Sequence, residues 1–194
     1  MGDHTWLLET INITGASRLA DRLGETEAHI VMVQEHRAVG PRLDELQGQA
    51  KKKGWTSLFS PAHRLADTGG LSGGTAVLAR KGIGLGQLGS FPAEIDWPCG
   101  HRLSLCFANI AGGIVLGSVY MTTGIGLVGD NASYLERLGE VLVSIKRPFA
   151  LGGRLQPCKR CSGTGRVAPC SWGSGSWTTT WRSHMPDKHS RIGH

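Results

Sequence analysis

A mixed α/β (α+β) fold, helices packed against sheet, is predicted for residues 1–153, followed by a disordered basic tail over residues 154–194. Three observations carry that prediction. A Thr- and aliphatic-rich run holding Leu7, Leu8, Ile11 and Ile13 leads into a helical pattern and then into the apolar run Ile30-Val31-Met32-Val33, a β-α-β order. Further amphipathic stripes alternate with short apolar runs, punctuated by Gly-Gly pairs at 69–70, 73–74 and 112–113. Finally, residues 151–194 hold seven Lys+Arg against one Asp+Glu and only four Leu/Ile/Val, whereas residues 1–150 hold 14 of each charge. The tail therefore carries the whole net charge of +6 and has too few aliphatic side chains for a core of its own.

The first strand is expected at about residues 5–13, closed by the turn residues Thr14-Gly15. Residues 16–27 place Leu19, Ala20 and Leu23 on one helical face and Arg18, Asp21, Arg22 and Glu25 on the other. A strand from His29 to Glu35 follows, apolar enough to be buried on both faces and polar at its end. Pro41–Lys53 reads as a helix with Pro41 in its first turn and Leu43 and Leu46 inward. Its last residues, Lys51-Lys52-Lys53 before Gly54, complement the helix dipole and end the helix rather than bind phosphate. Strands are expected at 55–60, 75–80, 102–110 and 114–122. Asp130-Asn131 are expected to cap a third helix with the stripe Leu135, Leu138, Val141, Leu142 and Ile145. A last strand at 148–153 should deliver its end to the same side as Glu35.

Several function classes are disfavoured by composition. Leu103–Gly129 lacks charge and is long enough to cross a bilayer, but Asn109, Gly112-Gly113, Gly117-Ser118 and Thr122-Thr123-Gly124 divide it into two buried strands. No Gly-Lys-Ser/Thr follows the Gly-Gly pairs, so they are turns and not a phosphate cradle. Five cysteines without a disulfide framework, and no secretory leader, point to a reducing intracellular setting, nuclear or cytoplasmic, with Cys99 and Cys106 structural. A pI near 9.3 that derives from the tail says little about partners of the neutral body.

Asn12 at the end of the first strand, Gln34-Glu35 at the end of the second, Gly73-Gly74-Thr-Ala-Val-Leu-Ala-Arg80, Ser118-Val-Tyr120 and Phe149-Ala-Leu-Gly-Gly153 occur in that order. Together they resemble the endonuclease/exonuclease/phosphatase superfamily of metal-dependent phosphodiesterases, which includes apurinic endonucleases, sphingomyelinases and the endonuclease domains of non-LTR retrotransposons. The resemblance covers about residues 5–153. It implies a partial four-layer α/β/β/α sandwich, a Mg²⁺ cofactor, and nucleic acid or another phosphodiester as partner. By the same resemblance Glu35 is the metal ligand, Asn12 its neighbour orienting phosphate or metal-bound water, and Tyr120 a hydrogen-bond donor to phosphate. Each residue also has a plainer reading: Glu35 a solvated strand end, Asn12 a turn residue serving its own backbone, Tyr120 core packing. His36 is expected at the surface.

After Leu-Gly-Gly the superfamily continues with Asp-x-Asn, where the Asp prepares water and the Asn holds phosphate; this chain has Arg154-Leu155-Gln156. The closing Ser-Asp-His-x-Pro motif is missing too, Ser183-His184-Met185-Pro186 being an echo without its Asp and placed too early. If residues 154–157 were encoded CGA-CTT-CAA-CCN, loss of one base would restore GAC-TTC-AAC, Asp-Phe-Asn, so the tail is read as out of frame. The expectation is a degenerate or truncated phosphodiesterase, inactive as it stands.

The tail also supports a rival. Cys158-Lys-Arg-Cys161-Ser-Gly163-Thr-Gly165 resembles the Cys-x-x-Cys-x-Gly-x-Gly unit of DnaJ-type zinc modules. Two thiolates at that spacing are half of a tetrahedral Zn²⁺ site. The other half would have to come from Cys170 with His184 or His189. On that reading the chain is a non-catalytic module binding nucleic acid or protein, with Zn²⁺ on Cys158 and Cys161.

Overall fold

Strand Ile30–Gln34 sets the architecture, because all five of its residues are buried and it sends alternate side chains into two different cores. The computed structural model describes residues 5–88, 100–110, 112–122, 126–154 and 177–182. Its elements run β1 (Thr5–Asn12), a 3₁₀ turn (Ala16–Arg18), α1 (Leu19–Glu25), β2 (Ile30–Gln34), α2 (Pro41–Lys52), β3 (Trp55–Ser60), β4 (His63–Arg64), β5 (Leu71–Ser72) and β6 (Thr75–Arg80). There follow β7 (Leu85–Gln87), a 3₁₀ turn (Gly100–Arg102), β8 (Leu103–Ala108), β9 (Ile114–Tyr120), α3 (Asp130–Ile145), β10 (Phe149–Arg154) and β11 (Trp177–Arg182). A five-stranded sheet in the order β11-β1-β2-β6-β3 faces a four-stranded sheet in the order β10-β9-β8-β7, and β4-β5 form a separate hairpin.

Among the described residues three apolar cores define the layers. Val31 and Val33, with Ile11 and Leu78, pack outward against Leu19 and Leu23 of α1 and Leu46 and Ala50 of α2. Ile30 and Met32, with Leu8 and Val77, pack inward against Cys106, Ala108, Ile114 and Leu116 of the second sheet. On the far side of that sheet Leu105, Val115 and Val119 take Tyr134, Leu138, Val141 and Leu142 of α3. Each fully buried Leu, Ile or Val contributes roughly 1.5–3 kcal/mol, so a strand feeding both cores is held from two sides. Helix, sheet, sheet and helix thus form the α/β/β/α sandwich that the resemblance implies.

The two sheets approach closely at Gly152. A side-chain carbon there would lie 2.9 Å from Cβ, Sδ and Cε of Met32, so the Leu-Gly-Gly segment is glycine because the opposing strand occupies the space. β8 and β9 pair antiparallel through the uncharged segment, and among the described residues no helix is long and apolar enough to cross a membrane. Cys106 is buried and its thiol is pushed up to about 12, which makes it an inert packing residue, while Cys99 lies outside the described residues.

Several expectations need correction. The first helical segment begins as a 3₁₀ turn and is α-helical only over Leu19–Glu25. Asp130 and Asn131 do not cap α3; Gly129 holds the N-cap position, with no side-chain cap. The buried Asn131 side chain turns back on the preceding loop, donating to the carbonyls of Thr122 at 2.9 Å and Gly126 at 2.7 Å and accepting from the Thr122 N–H at 3.1 Å. The hairpin β4-β5 and strand β7 are too short to leave a periodic pattern. No strand is expected in the tail, yet β11 pairs antiparallel with β1, Thr5 opposite Arg182 through Thr10 opposite Trp177. Its Thr- and Trp-rich sequence has high β propensity, and β1 offers an open edge of unpaired backbone groups.

Candidate functional site

β1 and β2 run parallel with Asn12 opposite Gln34, so both strands end at one rim of the first sheet. The chain then winds through Glu35, His36 and Arg37. Glu35 and Arg37 take positive φ, 59° and 50°, a conformation that persists in non-glycine residues only where surrounding contacts enforce it.

His36 supplies that enforcement. It is fully buried, not at the surface as its polarity predicts. Its Nδ1 accepts the Ala38 N–H at 3.1 Å, which assigns the proton to Nε2, and Nε2 donates toward the carbonyls of Ser60 at 3.0 Å and Thr75 at 3.3 Å. The imidazole is neutral, burial holding its pKa below the ordinary value. The ring fills the place of a side chain on Gly74: a Cβ there would sit 2.6 Å from Cε1, and Gly74 has φ 83°. Backbone bonds from His36 N to Gly74 O and from Arg37 N to Gly73 O close the loop. The Gly73-Gly74 pair is the sequence signal for this pin, legible only once its partner is known.

The loop presents the buried Glu35 carboxylate to Asn12. Asn12 Nδ2 donates to Glu35 Oε1 at 2.7 Å, while Asn12 Oδ1 accepts from Thr14 N and Thr14 Oγ1, each at 3.1 Å. Asn12 therefore serves its own turn through its oxygen and the Glu35 carboxylate through its nitrogen. Glu35 Oε2 receives the Arg37 guanidinium at 3.4 Å.

The second sheet meets the first at the same rim. Gln34 Nε2 donates to Ser118 Oγ at 2.9 Å, and Ser118 Oγ donates to Val33 O at 2.6 Å. β9 and β10 run parallel with Ser118 opposite Gly152 and Tyr120 opposite Arg154, so the tip of β10 ends beside Tyr120. Tyr120 is half-buried, and its ring Cδ1 lies 3.3 Å from where a Cβ on Gly73 would stand. Asn12 and Glu35 are thus in direct contact, and Tyr120 is reached from Arg37 through Gly73.

Among the described residues no three His, Cys, Asp or Glu side chains cluster as a ready metal site. Glu35 is a single carboxylate at the rim. Mg²⁺ takes hard oxygen ligands and keeps several of its waters, so a lone carboxylate held in place by an amide fits as its anchor. Cys158 and Cys161, and the histidines that would complete a Zn²⁺ site with them, lie outside the described residues.

No family model matches the chain, and no curated protein matches it in sequence. Among solved structures, the endonuclease domain of TRAS1, a telomere-specific non-LTR retrotransposon, is similar with a TM-score of 0.50 and 17% identity, over 77% of this chain and 60% of that one. An endonuclease/exonuclease/phosphatase family protein from Bacteroides thetaiotaomicron gives a TM-score of 0.49 and 14% identity over 79% of this chain and 64% of that one. An AP endonuclease from Archaeoglobus fulgidus gives 0.42 and 19% over 72% and 50%. The chain spans 60% of the TRAS1 domain's length, and at such identity the likeness is one of fold. Four layers, three cores and the likeness to that domain together identify the architecture: the chain has the endonuclease/exonuclease/phosphatase fold.

Proposed function

We propose that this chain is a degenerate metal-dependent phosphodiesterase, directed at nucleic acid, that keeps the metal-anchoring half of its site and lacks the half that activates water. The single observation that supports this most is the 2.7 Å bond from Asn12 to Glu35 at the ends of neighbouring strands. A carboxylate held by an amide on rigid strand ends is oriented before any ligand arrives, which is what a one-carboxylate cation site requires. In this reading Glu35 anchors Mg²⁺, Asn12 fixes the carboxylate, and Tyr120 donates its hydroxyl proton to a phosphate oxygen. When bound, the ion supplies neutralisation of charge developing on the phosphoryl oxygens.

The missing half lies at the tip of β10. Arg154 stands where the resemblance calls for a water-activating Asp, and a guanidinium has no acceptor and does not give up its proton at working pH. Loss of a general base alone costs about 10²–10⁴-fold in rate. Two measurements test the proposal: divalent-ion binding by calorimetry, and cleavage of supercoiled or abasic DNA. The expected result is ion binding that disappears in Glu35→Ala, with no cleavage above background. Ion binding that survives Glu35→Ala removes the metal role; Mg²⁺-dependent cleavage abolished by Glu35→Ala shows that the site is not degenerate.

A further inference from the structure

Beside Asn12 and Glu35 the rim continues past Tyr120 onto a flank whose His63 and His101 have no part in the reading above, with Gly73 at its centre. The Gly73 carbonyl accepts the Arg37 N–H at 3.2 Å. A side-chain carbon on Gly73 would lie 3.0 Å from His101 Cδ2 and 3.3 Å from Tyr120 Cδ1, so both rings border the same point beside Gly73 and leave no room for a side chain there. The His101 ring in turn stacks on His63, with centroids 4.9 Å apart and planes at 26°. His63 opens the β4-β5 hairpin, so the pair joins a surface hairpin to the 3₁₀ turn before β8. Arg37 and His63 are exposed, and His101 and Tyr120 half-buried.

Among the described residues the charged groups adjoining this flank are mostly basic. Arg64 follows His63 and donates to Gly69 O at 2.9 Å; Arg102 follows His101 and donates to Tyr120 O at 3.1 Å and to Asn131. The adjacent carboxylate, Glu35, already lies between Asn12 and Arg37, and Asp67, at the hairpin turn, accepts its neighbour's Thr68 N–H at 2.9 Å. Two stacked imidazoles among arginines form a poor place for positive charge and a good one for an anion that compensates it.

We infer that His63, His101 and Arg37, with the Tyr120 hydroxyl, form a site for a backbone phosphate of nucleic acid that works without a divalent ion. The identity of the ligand rests on the phosphodiester reading above; the anion chemistry does not. A phosphodiester offers only acceptor oxygens and a negative charge, and the four groups offer donors. The electrostatics agree: His101 has its pKa held below the ordinary value, first by partial burial and then by His63 and Arg102. A bound phosphate opposes the last two causes and favours imidazolium. By linkage, binding raises the His101 pKa, and affinity rises as pH falls.

The test follows the imidazole signals of His63 and His101 by NMR in the whole chain, in EDTA, from a pH of about 5 to about 8. Three samples are compared: no ligand, inorganic phosphate, and a short DNA duplex. Both ligands should move the His101 titration upward, and duplex affinity should fall about tenfold across that range. His63→Gln with His101→Gln should flatten the pH dependence, and Arg37→Ala should weaken binding at every pH. A duplex that binds without disturbing either histidine overturns the site. Inorganic phosphate that shifts His101 when the duplex does not bind overturns nucleic acid as the ligand. Failure of the metal reading shows separately, as a duplex that shifts His101 although Mg²⁺ never binds at Glu35.

Discussion

Met32 and Gly152 meet across the two sheets so closely that Cβ, Sδ and Cε of the methionine stand 2.9 Å from where a side chain on the glycine would begin. Gly152→Ala should therefore force the sheets apart or the methionine off its rotamer, costing about 1–3 kcal/mol in urea unfolding. A double-mutant cycle with Met32→Ala should show coupling between the positions. Strictly additive costs would mean that the contact is absent.

His36 predicts an acid-sensitive fold. Its folded pKa is lowered by burial, so below the unfolded value of about 6.5 the unfolded chain takes up a proton that the folded chain refuses. Stability is complete above that pH and declines as pH falls through it. His101, lowered for similar reasons, adds in the same direction, discounted for its greater exposure. Thermal melts between pH of about 5 and 8 should show the decline, and His36→Gln should reduce the slope. An unchanged slope in His36→Gln would assign the dependence to other groups.

Arg37 competes with any cation for Glu35. The guanidinium lies 3.4 Å from Oε2 and is half exposed, so the pair is worth only about 0.2–1 kcal/mol. Arg37→Ala should accordingly tighten divalent-ion binding by up to about fivefold, read by calorimetry or Mn²⁺ spin resonance. Weaker binding in that variant would mean that Arg37 supports the site instead.

The out-of-frame reading of the tail is a statement about nucleic acid. Transcripts sequenced across codons 150–160 should include an adjacent frame that spells Asp-x-Asn in place of Arg154-Leu155-Gln156. If no adjacent frame does so, the tail is a sequence in its own right, and Arg154 belongs to the design of the rim.

The strands and helices that periodicity predicts are those buried on one or two continuous faces. β2 was legible because Ile30-Val31-Met32-Val33 feeds two cores, and α3 because Leu138, Val141 and Leu142 recur at helical spacing. The hairpin β4-β5 was not, since two residues per strand carry no period. At the rim, the Asn12–Glu35 contact follows from two strand ends and a resemblance. The burial of His36 does not, because a polar residue beside a Glu reads as surface until Gly74, distant in sequence, makes room for its ring. Asn131 misled for a similar reason: local rules assign such a residue to its own helix, whereas its partners lie in the loop before it.

β11 carries a broader lesson. Its register with β1 uses main-chain amides and carbonyls that every residue except proline possesses, so the exposed margin of a sheet is indifferent to the ancestry of what docks there. A protein that loses one terminal segment and acquires another can reseal that margin with any short run of threonines and aromatics. Core-facing positions such as Met32 and Gly152 tolerate no such replacement, so the margin of this sheet is freer to change in sequence than its packed face.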